Sequence, residues 1–152
     1  VEVTADFITT SGGKLQLTAP GFAINPHLPT MPIPINGDRQ RLEQVVTNLV
    51  QNAIKYSGAS RRIEITMTRA GAEVITVVRD FGVGIPAEQQ GRVFERFFRA
   101  SNVSARHYSG LGLGLFISAG IVARHGGRIW LESTEGQGSA FYFALPLLSD
   151  ES

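Results

Sequence analysis

The chain has 152 residues, 43% hydrophobic and 18% charged, which is enough apolar material for one ordinary globular domain and too little length for two. Its 14 basic and 13 acidic residues are scattered and leave a net charge of +1, which argues against recognition of a nucleic-acid backbone by charge. The absence of cysteine excludes disulfides, thiolate metal sites and thiol nucleophiles and accords with a reducing compartment. The three histidines, His27, His107 and His125, stand far apart without an HExxH pair, so no dedicated zinc site is expected.

From residue 1 to 38 the chain carries Gly12-Gly13, Pro20-Gly21 and four prolines between Pro26 and Pro34, a pattern of short edge strands around "KLQLTA" and "MPIPING". The stretch "GDRQRLEQVVTNLVQNAIKYS" then brings Leu42, Val45, Val46, Leu49 and Ala53 into helical spacing. Asp38 is placed to cap its start and Gly58 to end it. "RIEITMTR" and "EVITVVRD" read as a hairpin turned at Ala70-Gly71-Ala72.

After "FGVGIP" a short helix is expected over Glu88 to Phe98, burying Val93, Phe94 and Phe97. Ala100 to Gly110 is polar and unpatterned, as a mobile loop is. Leu113 to Arg124 reads as a second long helix closed at Gly126-Gly127 by a left-handed cap, with His125 at its end favoured by the helix dipole. "RIWLES" and "SAFYFALP" form a last hairpin around "TEGQG". Two hairpins forbid an all-parallel sheet, so the fold class is α+β: a two-layer α/β sandwich, with a mixed sheet covered by helices on one face.

The chain shows no basic-then-apolar leader. The uncharged run Tyr108 to Ala123 is glycine-rich and shorter than the roughly 20 residues of a membrane span. The expectation is a soluble, cytoplasmic domain without direct membrane contact, one that can also be the cytoplasmic part of an anchored receptor.

Two glycine clusters frame the polar segment: Asp80-Phe81-Gly82-Val83-Gly84 after a strand, and Gly110-Leu111-Gly112-Leu113-Gly114 before a helix. Neither is a GxxxxGK[ST] loop or a GxGxxG fingerprint. "DFG" lacks the HRD and VAIK partners of eukaryotic-type kinases. The arrangement suggests a pocket with a lid. On the first long helix Asn48, Asn52, Lys55 and Tyr56 share one stripe beside the apolar face. Asn costs a helix interior roughly 0.6 kcal/mol relative to Ala. Two of them there invite a ligand: amide oxygens suit a hard cation such as Mg²⁺, and the lysine suits phosphates.

"RLEQVVTNLVQNAIKYS" resembles the N box, "RDFGVGIP" the G1 box, "VFERFFR" the F box and "SGLGLGLFI" the G2 box of the catalytic ATP-binding domain of sensor histidine kinases. That family belongs to the Bergerat-fold class shared with gyrase, heat-shock chaperone and mismatch-repair ATPases. The likeness makes residues 1–152 a single catalytic domain: edge strands in 1–38, the four boxes within 38–117, and a terminal hairpin over 128–146.

The resemblance implies ATP and Mg²⁺ as ligands. It places Asn52 on the metal, Asn48 and Lys55 near the phosphates, Tyr56 beside the nucleotide and Asp80 on the adenine amino group. Gly82, Gly84 and Ile85 fall at the base. Gly110, Leu111, Gly112, Leu113, Gly114 and Leu115 bring backbone N–H groups and a helix N-terminus to the phosphates. Arg99 falls where a lid arginine reaches the γ-phosphate, so Asn48, Lys55 and Arg99 are the candidate catalytic residues. Phe81, at an often polar position, and Leu111, in place of a common Thr or Ser, depart from the family pattern.

The wider class activates water with a glutamate where this chain has Asn48, and a neutral amide is no general base. The expected reaction is therefore phosphoryl transfer to a histidine on a separate dimerisation domain, and through it to a response regulator, in a protein that is a homodimer at full length. His27, in "INPHLPT", is flanked by prolines and is no helical acceptor, so the acceptor domain is expected outside this chain. A hydrolytic ATPase and a degenerate nucleotide-binding regulatory module are the alternatives.

Overall fold

The computed structural model describes residues 2–3, 23–27, 33–96, 98 and 113–148. Its frame is a five-stranded sheet in the order β2-β4-β5-β7-β6, with β1 (Glu2–Val3) and β3 (Ile35–Asn36) forming a separate antiparallel pair. β4 (Arg62–Ala70) and β5 (Glu73–Asp80) form one hairpin, and β6 (Arg128–Thr134) and β7 (Gly138–Pro146) the other. β5 joins β7 antiparallel, and β2 (Ala23–His27) lies parallel to β4 at the edge, so the sheet is mixed as expected.

α1 (Arg39–Lys55) forms because its apolar residues repeat at 3.6 and because Asp38 stays extended (φ −96°, ψ 109°) while its carboxylate accepts the Arg41 N–H at 3.3 Å. Its inward face carries all five expected residues and Val50. These meet the inward positions of the strands, Ile63, Ile65, Val78, Phe141, Phe143 and Leu145. Each large apolar side chain so buried contributes about 1.5–3 kcal/mol.

α2 (Gly114–Arg124) packs beside α1 and buries Ile121 and Val122. It ends in a Schellman motif: Gly126, at φ 77°, donates to Ala123 O and Gly127 to Val122 O, both at 3.0 Å. Both helices share the core on one face of the sheet.

Three expectations are corrected or fall outside the described residues. Instead of a helix over Glu88 to Phe98 there is a 3-10 turn, Ala87–Arg92, followed by irregular chain. Gly91 weakens any longer helix there by about 1 kcal/mol relative to Ala. The segment is held instead by buried Val93 and by Phe94, edge-on to Phe141 at 6.2 Å; Phe97 is outside the described residues. Of the two N-terminal strand assignments, "KLQLTA" lies outside the description and "MPIPING" reduces to Ile35–Asn36. The strand over Ala23–His27 was not expected. It tolerates Pro26 because it lies at an edge of the sheet. The polar segment Ala100 to Gly110 lies outside the described residues.

Candidate functional site

Four pieces of backbone converge where the sequence places its candidates: the C-terminal half of α1, the loop after β5, the start of α2 and the β6–β7 turn. Asn48, half-buried, donates through Nδ2 to Gly114 O at 3.3 Å and Ser118 Oγ at 3.2 Å. It therefore joins α1 to the first turn of α2. One turn further along, Asn52 keeps Nδ2 buried without a hydrogen-bond partner among the described residues. Burial lowers the Lys55 pKa from its ordinary value. Tyr56 is buried at the end of α1, where its N–H donates to Asn52 O at 3.1 Å and its carbonyl accepts the Val83 N–H at 3.0 Å.

Asp80 closes β5 and is 2% exposed. Its Oδ1 accepts the Gly82 N–H at 3.0 Å, and Oδ2 is buried with no partner among the described residues. Burial pushes the carboxyl up from 3.8 to about 6, while backbone N–H groups of Gly82 and Ser139 pull the other way. An ionised carboxylate with an unused oxygen is an acceptor waiting for a donor.

The glycines of the loop after β5 are demanded by the packing of the protein itself. A Cβ on Gly82 would stand 1.9 Å from Tyr56 O, and one on Gly84, at φ 71°, would stand 2.2 Å from Thr134 O. What they permit here is the approach of chain to chain. At Gly114 the nearest side chain to such a Cβ is Asn48, at 3.8 Å, an ordinary contact. Protein packing does not demand glycine there.

Ile85 is a core residue whose N–H donates to Ser133 Oγ at 2.8 Å and whose carbonyl accepts Gln90 Nε2 at 2.9 Å. Leu113 caps α2 with its carbonyl on the Ile117 N–H at 2.8 Å, and Leu115 packs on the core. The departure at Phe81 has a local use, since the Arg62 guanidinium lies 3.9 Å from its ring centroid. Arg99, Gly110, Leu111 and Gly112 lie outside the described residues.

His125 stands at the end of α2, as expected. Nδ1 lies 2.8 Å from Ile121 O, and Nε2 accepts the Asp38 N–H at 3.0 Å. Ser133, Ser139 and Gln90 were not among the candidates. The inward alternation of Ile129, Leu131 and Ser133 along β6 was the one available signal for a buried hydroxyl.

A sequence model described as histidine kinase-, DNA gyrase B- and HSP90-like ATPase matches residues 37–149. Sensor histidine kinase RppB of Synechocystis sp. is 41% identical over 113 residues, covering 74% of this chain and 25% of that protein. Sensor protein kinase WalK of Staphylococcus saprophyticus is 36% identical over 142 residues, covering 92% and 23%. The chain thus spans about a quarter of the length of these curated relatives. Mycobacterial sensor histidine kinase MprB superposes with a TM-score of 0.87 at 27% identity, covering 97% of this chain and 98% of that one. With the fold, the ordered boxes and the family match agreeing, the chain belongs to the histidine kinase-, DNA gyrase B- and HSP90-like ATPase family, on its histidine kinase branch.

Proposed function

We propose that this domain binds ATP with Mg²⁺ and donates the γ-phosphoryl group to a histidine on a separate dimerisation domain of the same protein. The observation that carries the reading is a buried, unpartnered acceptor where the family's ligand is expected: Asp80 Oδ2. A buried polar atom left without a hydrogen bond costs about 1–3 kcal/mol, so this oxygen favours a ligand that brings a donor to it.

In this reading Asp80 accepts the adenine amino group, and Asn52 supplies an amide oxygen to Mg²⁺. The ion, when bound there, would offset the negative charge of the phosphates. Lys55 lends positive charge to the phosphates, and Arg99 acts from the lid. Gly110, Leu111, Gly112, Leu113, Gly114 and Leu115 offer backbone N–H groups at the start of α2. Among the described residues no three His, Cys, Asp or Glu cluster as a metal cage. A cation sharing its shell with phosphates needs no such cage.

Asn48 favours transfer over hydrolysis. It stands where the hydrolytic relatives keep a glutamate, and its Nδ2 is engaged with Gly114 O and Ser118 Oγ. A neutral amide cannot take a proton from water. Its work is to hold α2 against α1, each such bond contributing about 1 kcal/mol.

The partners that follow are the dimerisation domain, a response regulator downstream and a second copy in the full-length homodimer, on the cytoplasmic side. No helix among the described residues is long and apolar enough to cross a membrane.

Calorimetric titration with ADP, with and without Mg²⁺, and incubation with radiolabelled ATP test the reading. The expected results are Mg²⁺-sensitive binding and slow labelling of a supplied dimerisation domain from the parent protein. Label on a histidine of this chain, or rapid phosphate release without a partner, overturns it.

A further inference from the structure

Along β6 the inward positions run Ile129, Leu131, Ser133, so a hydroxyl stands where the strand otherwise buries hydrocarbon. Such a group must find partners inside the protein. Ser133 Oγ has three: it accepts the Ile85 N–H at 2.8 Å, reaches Gly138 O at 3.1 Å and lies 2.8 Å from Ser139 Oγ. One consistent assignment uses every proton, with Ser133 O–H donating to Gly138 O and Ser139 O–H donating to Ser133.

The next link leads to Asp80. Ser139 is 3% exposed, and its backbone N–H helps to hold the Asp80 carboxyl below the value that burial alone would give it. Gly138 packs so tightly on β5 that a Cβ there would meet Asp80 O at 2.3 Å. On the outer side Gln90 donates from one nitrogen to both Ile85 O and Ser133 O, each at 2.9 Å, bracing the loop after β5 against the end of β6. A set of hydrogen bonds therefore runs from the 3-10 turn through Ser133 to Gly138 and Ser139, and Gly138 packs directly on the backbone of Asp80.

We propose that Ser133, braced by Gln90, is a positioning residue for base recognition: it fixes the β6–β7 turn and the loop after β5 so that the free oxygen of Asp80 is held where the nucleobase donor arrives. The proposal rests on the nucleotide reading given above. Neither side chain touches the ligand in it. Recognition by a single carboxylate oxygen depends on its placement, and groups held within about 0.5 Å owe that to the bonds behind them.

The test measures ADP and GDP affinity by calorimetry for the full chain carrying Ser133→Ala, Ser133→Thr or Gln90→Leu. Each change is also combined with Asp80→Asn, and every variant is melted thermally. Ser133→Ala is expected to weaken ADP about tenfold and to narrow the gap between ADP and GDP. Ser133→Thr, which keeps the hydroxyl, is expected to restore both. In the Asp80→Asn background Ser133→Ala and Gln90→Leu should leave ADP affinity unchanged while lowering the melting temperature as before. A merely structural role would weaken ADP equally in both backgrounds, and that result overturns the proposal. So does unaltered ADP binding by folded Ser133→Ala, or by Gln90→Leu if Ser133→Ala does not fold. A parent chain that binds no ADP overturns the nucleotide reading itself, and this proposal with it.

Discussion

The backbone N–H of Asp38 donates to His125 Nε2 at 3.0 Å, tying the N-cap of α1 to the C-cap of α2. Asn48 ties the same helices near the start of α2, so their relative placement is fixed at two separated points. His125→Ala leaves the Asp38 N–H without its partner, while Ile121 O keeps the backbone N–H of residue 125 at 3.2 Å. The expected loss is about 1–3 kcal/mol, read by urea denaturation, with His125→Gln recovering part of it because an amide oxygen can take the Asp38 N–H.

Asp80→Asn should stabilise the nucleotide-free domain at pH 7.5. The folded carboxyl titrates near 6 and the unfolded one near 3.8, so the folded state holds the extra proton between them. The sign follows: stability rises as pH falls through about 6, levels off below the unfolded value, and is lowest where Asp80 is ionised. The displacement corresponds to at most about 3 kcal/mol. Denaturation curves from pH 4 to 7.5 should show the gain for Asp80→Asn at pH 7.5 vanishing towards pH 4. The same variant should lose about 1.5–3 kcal/mol in ADP binding. Tight ADP binding by Asp80→Asn would refute the role given to this residue.

Gly84→Ala should be severely destabilising, by about 2 kcal/mol or more. The substitution combines a left-handed backbone, φ 71°, with a Cβ 2.2 Å from Thr134 O. Gly114→Ala meets only Asn48, at 3.8 Å, and should leave the melting temperature of the free domain nearly unchanged. The contrast in thermal melts separates glycines demanded by packing from those the fold leaves open.

Thr76→Val should stabilise by about 1 kcal/mol. Thr76 is 1% exposed on β5 opposite Phe143, and its hydroxyl has no partner among the described residues. Nothing in the proposed mechanism uses it, so ADP affinity should stay at the parent value while the denaturation midpoint rises.

Elements whose side chains repeat were legible in the sequence. Leu42 to Ala53 announce α1 by their spacing, and Ile63, Ile65, Val78, Phe141 and Phe143 announce the hairpins by alternation. Ala23–His27 was not legible, because a five-residue edge strand containing Pro26 draws its pairing from β4 rather than from its own propensity. Val93, Phe94, Phe97 and Phe98 mimic a helical face, but the described ones are held by the core around a 3-10 turn. Asp80 and Asn52 stood out by motif, and the structure leaves Asp80 Oδ2 and Asn52 Nδ2 buried without a partner among the described residues. Gln90 carries no pattern, and Ser133 shows only as the inward position after Ile129 and Leu131, since a hydrogen bond between distant segments leaves no periodic trace of its own.

The pairing of β5 with β7 bears on how the domain can evolve. The register from Glu73 opposite Pro146 to Arg79 opposite Ala140 is set by residues outside the span between Phe98 and Leu113. The chain leaves that span's two ends anchored, with Phe98 N–H on Glu95 O at 3.3 Å and Leu113 O on the Ile117 N–H. Sequence change in that span therefore leaves untouched the register that places Asp80 at the end of β5.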